Sequence, residues 1–186
     1  MALGQSWPRG AYEQLFREAV AAQPIYGHFY LHKARFLLPR WFGEVGEWQR
    51  FAAETKAARG GELYALICWA QGQVEGYPQL FSVHGIAWAD VKAGYAEMLR
   101  RSSRSPWVQN CMARLALDAG DRETAARMFE EIGADYYSSA WKSRAMFEDY
   151  RVKALGVRAG DTILPGMVPL RMPGLPGRTE HAPPGK

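Results

Sequence analysis

Four histidines and two cysteines bound the metal and nucleophilic chemistry open to this chain. His28 and His32 stand one turn apart in a helical pattern, a spacing that can present two imidazoles to one ion. No third ligand is close in sequence and no HExxH pattern occurs, so both read as ordinary polar or half-buried histidines. Cys68 and His84 are conceivable as a thiolate–imidazole pair. The LICWA run around Cys68 reads as core, however, and Cys111 sits in a similar apolar pattern. Both cysteines therefore read as small buried hydrophobes and not as a disulfide. Gly72, Gly76 and Gly85 lack the spacing and the lysine of a phosphate-cradling loop. No catalytic residue, metal ligand or cofactor is assigned on these grounds. An enzyme of unrecognised type would need polar groups that converge in a cleft, and the sequence shows no such set.

Recognition chemistry is better represented. Pro173 and Pro176 have the spacing of a polyproline-helix ligand, with Arg171 and Arg178 beside them. Arg100, Arg101 and Arg104 follow a helical segment, where cations favour the negative end of the helix. Trp41, Tyr64, Trp69 and Trp88, together with Arg40, form the candidate partner-binding set, because Trp, Tyr and Arg dominate interface energetics. Core burial is the competing reading for the four aromatics. Arg40 would anchor acidic groups.

The segments that must position these residues are helical. The most legible runs from Ser105 to Ile132. Ser105 and Pro106 suit a helix start, and Val108, Cys111, Met112, Leu115 and Ala119 recur on one face. Gly120 suits a left-handed helix end and Asp121 the cap of the next helix. Ala125, Phe129 and Ile132 then line that helix's buried side. Upstream, helices are predicted over 10–22, 26–38, 44–58, 62–70 and 86–101. Lys33 falls on the apolar stripe of the second and is expected to snorkel. Gly94 stands in mid-helix, at a cost of about 1 kcal/mol, and close contact with another helix is the expected compensation. Residues 71–85 read as an irregular segment. A last helix is expected to start at Ser138 or Ser139 and end near Gly156.

Gly120-Asp121 followed by Ala125 and Phe129 resembles the second half of a tetratricopeptide-type hairpin. A wider pattern comprises LLPRWFG at 37–43, FAAET from Phe51, LYALICW from Leu63, WADVKAGYAEML from Trp88, the hairpin, and Ile132-Gly133 followed by Trp141. In that order these resemble an uncharacterised bacterial family of helical-hairpin proteins, a domain of unknown function, over roughly residues 10–155. Phe42 stands where the family pattern has glycine. The resemblance implies a tetratricopeptide-like fold and no established activity, so it brings no catalytic residues.

The 186 residues suit one domain with a real core. Aromatic residues make up 13%, with seven Trp, so either the core or a groove is rich in rings. The net charge of +4 is spread: residues 1–92 carry 9 basic and 8 acidic side chains, and residues 93–186 carry 14 and 11. That is a poor footprint for nucleic acid, which calls for a concentrated basic face. No membrane span and no apolar signal core occur, which reads as a cytoplasmic protein. The sequence thus predicts an all-α domain over 1–156, built of stacked antiparallel hairpins with about eight helices. An extended proline- and glycine-rich tail over 157–186 follows, apolar enough to dock on its own domain or on a partner. The function expected is a non-catalytic module that binds a protein or peptide. Nucleic-acid binding and an unrecognised enzyme are the alternatives, and the oligomeric state is open.

Overall fold

The computed structural model describes residues 8–102 and 105–156. Arg104, the segment from 157 onward and its Arg171, Pro173, Pro176 and Arg178 lie outside the described residues. The described residues form nine α-helices and one 3-10 turn, with no strand among them. In order these are α1 (Arg9–Ala22), α2 (Gly27–Phe36), α3 (Glu47–Arg59), α4 (Gly61–Glu75), α5 (Tyr77–Ser82), α6 (Trp88–Arg101), α7 (Pro106–Asp118), α8 (Arg122–Ile132), the turn Ser138–Ala140, and α9 (Arg144–Leu155).

Two helices organise the packing. α4 touches α2, α3, α5 and α6, while α7 touches α5, α6, α8, α9 and the 3-10 turn. Both are apolar around most of their circumference, which suits helices gripped from several sides. Tyr64, Ala65, Ile67, Cys68 and Trp69 of α4 are all buried, as are Cys111, Met112, Ala113, Leu115 and Ala116 of α7. Gly60, at φ 99°, separates α3 from α4 in a conformation that glycine adopts without strain. The α7–α8 hairpin forms as its sequence predicts. Gly120 takes φ 82°, and the Asp121 side chain accepts the Thr124 amide at 3.0 Å. Ser105 precedes α7 with extended backbone but makes no capping hydrogen bond, so Pro106 alone starts that helix.

Residues 71–85 are more regular than their composition suggests. α4 continues to Glu75, Gly76 breaks it at φ 92°, and α5 begins at once. Pro78 lies in the first turn of α5, where a proline removes no helical hydrogen bond. This extra helix makes nine where about eight are expected. Gly72 lies inside α4 because the Tyr77 ring packs on its bare backbone: a β-carbon there would stand 2.6 Å from Tyr77 Cε1.

Two further expectations are corrected. Lys33 does not reach solvent but is 4% exposed, paired with Glu13 of α1. Its ammonium lies 5.4, 5.5 and 5.7 Å from the ring centres of Tyr12, Phe16 and Phe36. The α1 helix closes over it, so charge pairing and aromatic faces replace water. The last helix starts at Arg144, capped by Ser143 accepting the Met146 amide at 3.1 Å, and not at Ser138 or Ser139. Trp141 is the reason. It adopts extended backbone and buries its ring in the core, which interrupts the helix.

Candidate functional site

Arg114 lies in the middle of the most buried helix and is only 5% exposed. Its guanidinium carbon is 4.0 Å from the Tyr77 ring centre, 5.9 Å from that of Trp141 and 6.0 Å from that of Trp69. Three elements thus supply one aromatic cage: α4 gives Trp69, α5 gives Tyr77 and the segment before α9 gives Trp141. A desolvated cation on aromatic faces gains on the order of 2 kcal/mol. Nη1 donates to the Ala140 carbonyl at 2.8 Å. Nε faces Oδ2 of Asp118, one turn on, at 3.9 Å, and neither atom has a hydrogen-bond partner. The other carboxylate oxygen of Asp118 accepts the Tyr150 hydroxyl at 2.7 Å. Burial pushes the Asp118 carboxyl up from its ordinary range, and Tyr150, Arg114 and Lys153 offset this only in part.

Above this cage is an open cleft of ≈ 590 Å³, with Arg114, Tyr77, Trp141, Met146 and Tyr150 in its wall and Lys142 on its rim. That size falls in the range of small-ligand sites. A smaller concavity of ≈ 380 Å³ is lined by Pro39, Arg40, Val74 and Glu75. Val74 and Glu75 line both, so the two hollows meet at the end of α4. Glu75 pairs with Arg40 on one side and lies 3.7 Å from His84 on the other.

The five residues predicted to face a partner separate into two groups. Arg40 and Trp41 are exposed, Trp41 at 45%, and sit together in the loop after α2. Arg40 is not a free anchor, since Glu75 already balances its charge. Tyr64 and Trp69 are both 5% exposed and belong to the core, and neither lines either hollow. The α4 helix is covered on the sides they occupy: Lys56 lies over the Tyr64 ring at 5.6 Å, and Trp69 packs on Tyr77 and Trp107. Trp88 is half-buried, and its indole N–H donates to Asp121 at 2.8 Å, a structural bond between α6 and the start of α8.

Spacing alone does not single out Arg114 and Asp118. The signal available is an Arg and an Asp at i and i+4 in a helix whose other positions are apolar. An arginine in such a run must find a partner inside the protein. The Cys68–His84 pair does not form. Cys68 is fully buried, and that burial pushes its thiol up to about 12. His84 instead faces Glu75 and Gln49. The His28 and His32 ring centres are 6.4 Å apart, and burial, with the nearby His28 charge, lowers the His32 imidazole. Among the described residues no three His, Cys, Asp or Glu side chains are grouped to hold a metal ion. None of the described helices is long and apolar enough to cross a membrane.

No family model, no curated protein and no solved structure matches the chain.

Proposed function

We propose that the protein is a non-catalytic helical module that binds a protein partner by taking a peptide segment into the groove across the end of α4. The same proposal includes membership of the helical-hairpin family that its motif order resembles. One observation carries the reading: the Arg40 hollow and the Arg114 cleft adjoin at Val74 and Glu75, which line both. An extended chain rises about 3.3 Å per residue, so a peptide of several residues could reach from one hollow to the other. Its walls combine aromatic rings with polar side chains, the mixture that fixes both affinity and orientation.

The test is site-specific photo-crosslinking of the full chain. A photoreactive residue replaces Gln73, which is exposed in the groove, or Ala58, which is exposed on α3 outside it. The expected result is one protein partner, joined through one mapped peptide, from the Gln73 position alone. Equal yields from both positions would refute the proposal. Retention on RNA or DNA that falls steeply with salt would favour the nucleic-acid alternative.

A further inference from the structure

We propose that the Arg114 cleft is a carboxylate-binding site, which receives the terminal carboxylate of a partner peptide and holds the last side chain against Trp141 and Met146. The inference rests on the peptide-groove reading above and adds to it which group of the peptide is read.

Arg114 is held rigidly by the Tyr77 face and by the Ala140 carbonyl, and its helix is packed on all sides. A guanidinium fixed in this way has lost its conformational freedom before any ligand arrives, which favours binding. Yet its hydrogen bonding is incomplete. Nε has no partner, and among the described residues Nη2 makes no hydrogen bond. Nε is fully buried and faces Asp118, which leaves Nη2 as the donor open to a ligand. Asp118 does not complete the set: it stands 3.9 Å away and its own Oδ2 is also unpartnered. Asp118 thus balances the charge as an ion pair while leaving the guanidinium's hydrogen bonding incomplete. The cleft over it carries a second cation, Lys142, on its rim.

The remaining walls choose among anions. Asp118 lies behind Arg114, and Glu75 borders the cleft. Two acidic groups so near oppose a doubly charged phosphate more than a singly charged carboxylate. A carboxylate is also planar and matches the fork of an arginine. Beside the cation stand Trp141, Met146 and Tyr150, an apolar wall for the side chain that accompanies the carboxylate. The ligand read from this is a monocarboxylate on an apolar body. A peptide's last residue has that form, and so does a free N-acylated amino acid.

The test uses full-length protein labelled with ¹⁵N. N-acetyl-leucine and N-acetyl-phenylalanine are titrated, each also as its carboxamide, beside a hexapeptide ending in leucine with a free or an amidated C-terminus. The Trp141 indole N–H signal is followed. The expected result is a saturable shift with both acids, and midpoints about tenfold or more higher for the carboxamides. The free-acid hexapeptide should bind more tightly than N-acetyl-leucine, which separates a peptide end from a small molecule as the source. Lys142→Glu, on the exposed rim, should weaken the acids several-fold and leave the carboxamides unchanged. Arg114→Lys should weaken them further. Should that variant fail to fold, the Lys142→Glu comparison still decides. Equal midpoints for acid and carboxamide, or no shift at Trp141 with any probe, would overturn the proposal. Tight binding of the amidated hexapeptide at Trp141 would also overturn it, while leaving the peptide groove standing.

Discussion

Gly94 of α6 and Gly61 of α4 meet backbone to backbone. A β-carbon on Gly94 would collide with the Gly61 carbonyl oxygen and stand 2.8 Å from Cβ of Ala65. The mid-helix glycine is thus explained by its neighbour, and its helical penalty is offset by close packing of α6 on the central α4. Gly94→Ala should destabilise the fold by about 1–3 kcal/mol despite alanine's better helix propensity, because the overlap involves backbone that cannot swing aside. A β-carbon on Gly61 would stand 3.3 Å from the Gly94 α-carbon and 3.5 Å from its amide nitrogen, a milder crowding, so Gly61→Ala should cost clearly less than Gly94→Ala. Urea denaturation of the two variants checks the contrast. A Gly94→Ala protein as stable as wild type would contradict it.

Asn110 offers a second test, because one buried amide serves four groups. Its Nδ2 donates to the carbonyls of Pro106 at 2.8 Å and Asp135 at 3.1 Å. Its Oδ1 accepts the Trp141 indole N–H at 2.7 Å and the Tyr137 amide at 3.4 Å. The side chain is fully buried, so Asn110→Ala strands a buried indole donor and leaves a void. The expected cost is about 2–4 kcal/mol, read from the shift in the urea midpoint. Asn110→Asp should be at least as damaging, since it turns a lone pair on the two carbonyls. A loss under about 1 kcal/mol for either variant would show that the network contributes little.

The helices were legible because their apolar positions recur with the helical period and because glycine marks their ends. Gly120 and Asp121 fix the α7–α8 turn by local chemistry alone, and the close contact at Gly94 follows from what a mid-helix glycine costs. The site was far less legible. Trp69 and Tyr64 are of the residue types that dominate interfaces, but α4 is covered on so many sides that both are buried. Arg114 could not be located from its neighbours in sequence, since its cage comes from residues 69, 77 and 141. Tertiary packing brings those rings together. The α5 helix was hidden for a related reason. Glycine and proline signalled a loop, yet each occupies a position where a helix break or a first turn tolerates it.

Acid should weaken the α6–α8 junction through Asp121. Burial alone would raise that carboxyl, but Lys92 at 2.9 Å, the Trp88 indole and the Thr124 amide outweigh it and hold it far below the usual carboxylate range. A depressed folded-state value means that the stabilisation is fully present above the unfolded value of about 4 and is lost as pH falls through the folded one. Asp121→Asn keeps a capping oxygen but loses the charge. The stability gap between it and wild type should therefore be widest at neutral pH and shrink below about pH 4. Asp121→Ala removes the cap as well and should cost about 0.5–2 kcal/mol at pH 7. Thermal unfolding of the three proteins at pH 7, 5 and 3 reads this directly. A gap that grows on acidification would reverse the assignment.

The rings that can meet a quencher follow from the packing. Trp41 is 45% exposed, whereas Trp48, Trp69 and Trp141 are at most 5% exposed. Trp48 packs behind His84, and Trp141 is anchored on Asn110. Trp41→Phe should therefore remove a clear part of the acrylamide-quenchable fluorescence, whereas Trp48→Phe should lower total emission and leave that part intact. Because Trp41 lies beside Arg40 at one end of the proposed groove, the comparison also reports occupancy. A bound peptide that runs to the Arg40 hollow should shield Trp41 and reduce its quenching, while one confined to the Arg114 cleft should leave it unchanged. Identical quenching in wild type and Trp41→Phe would place that ring inside the protein and remove it from any contact surface.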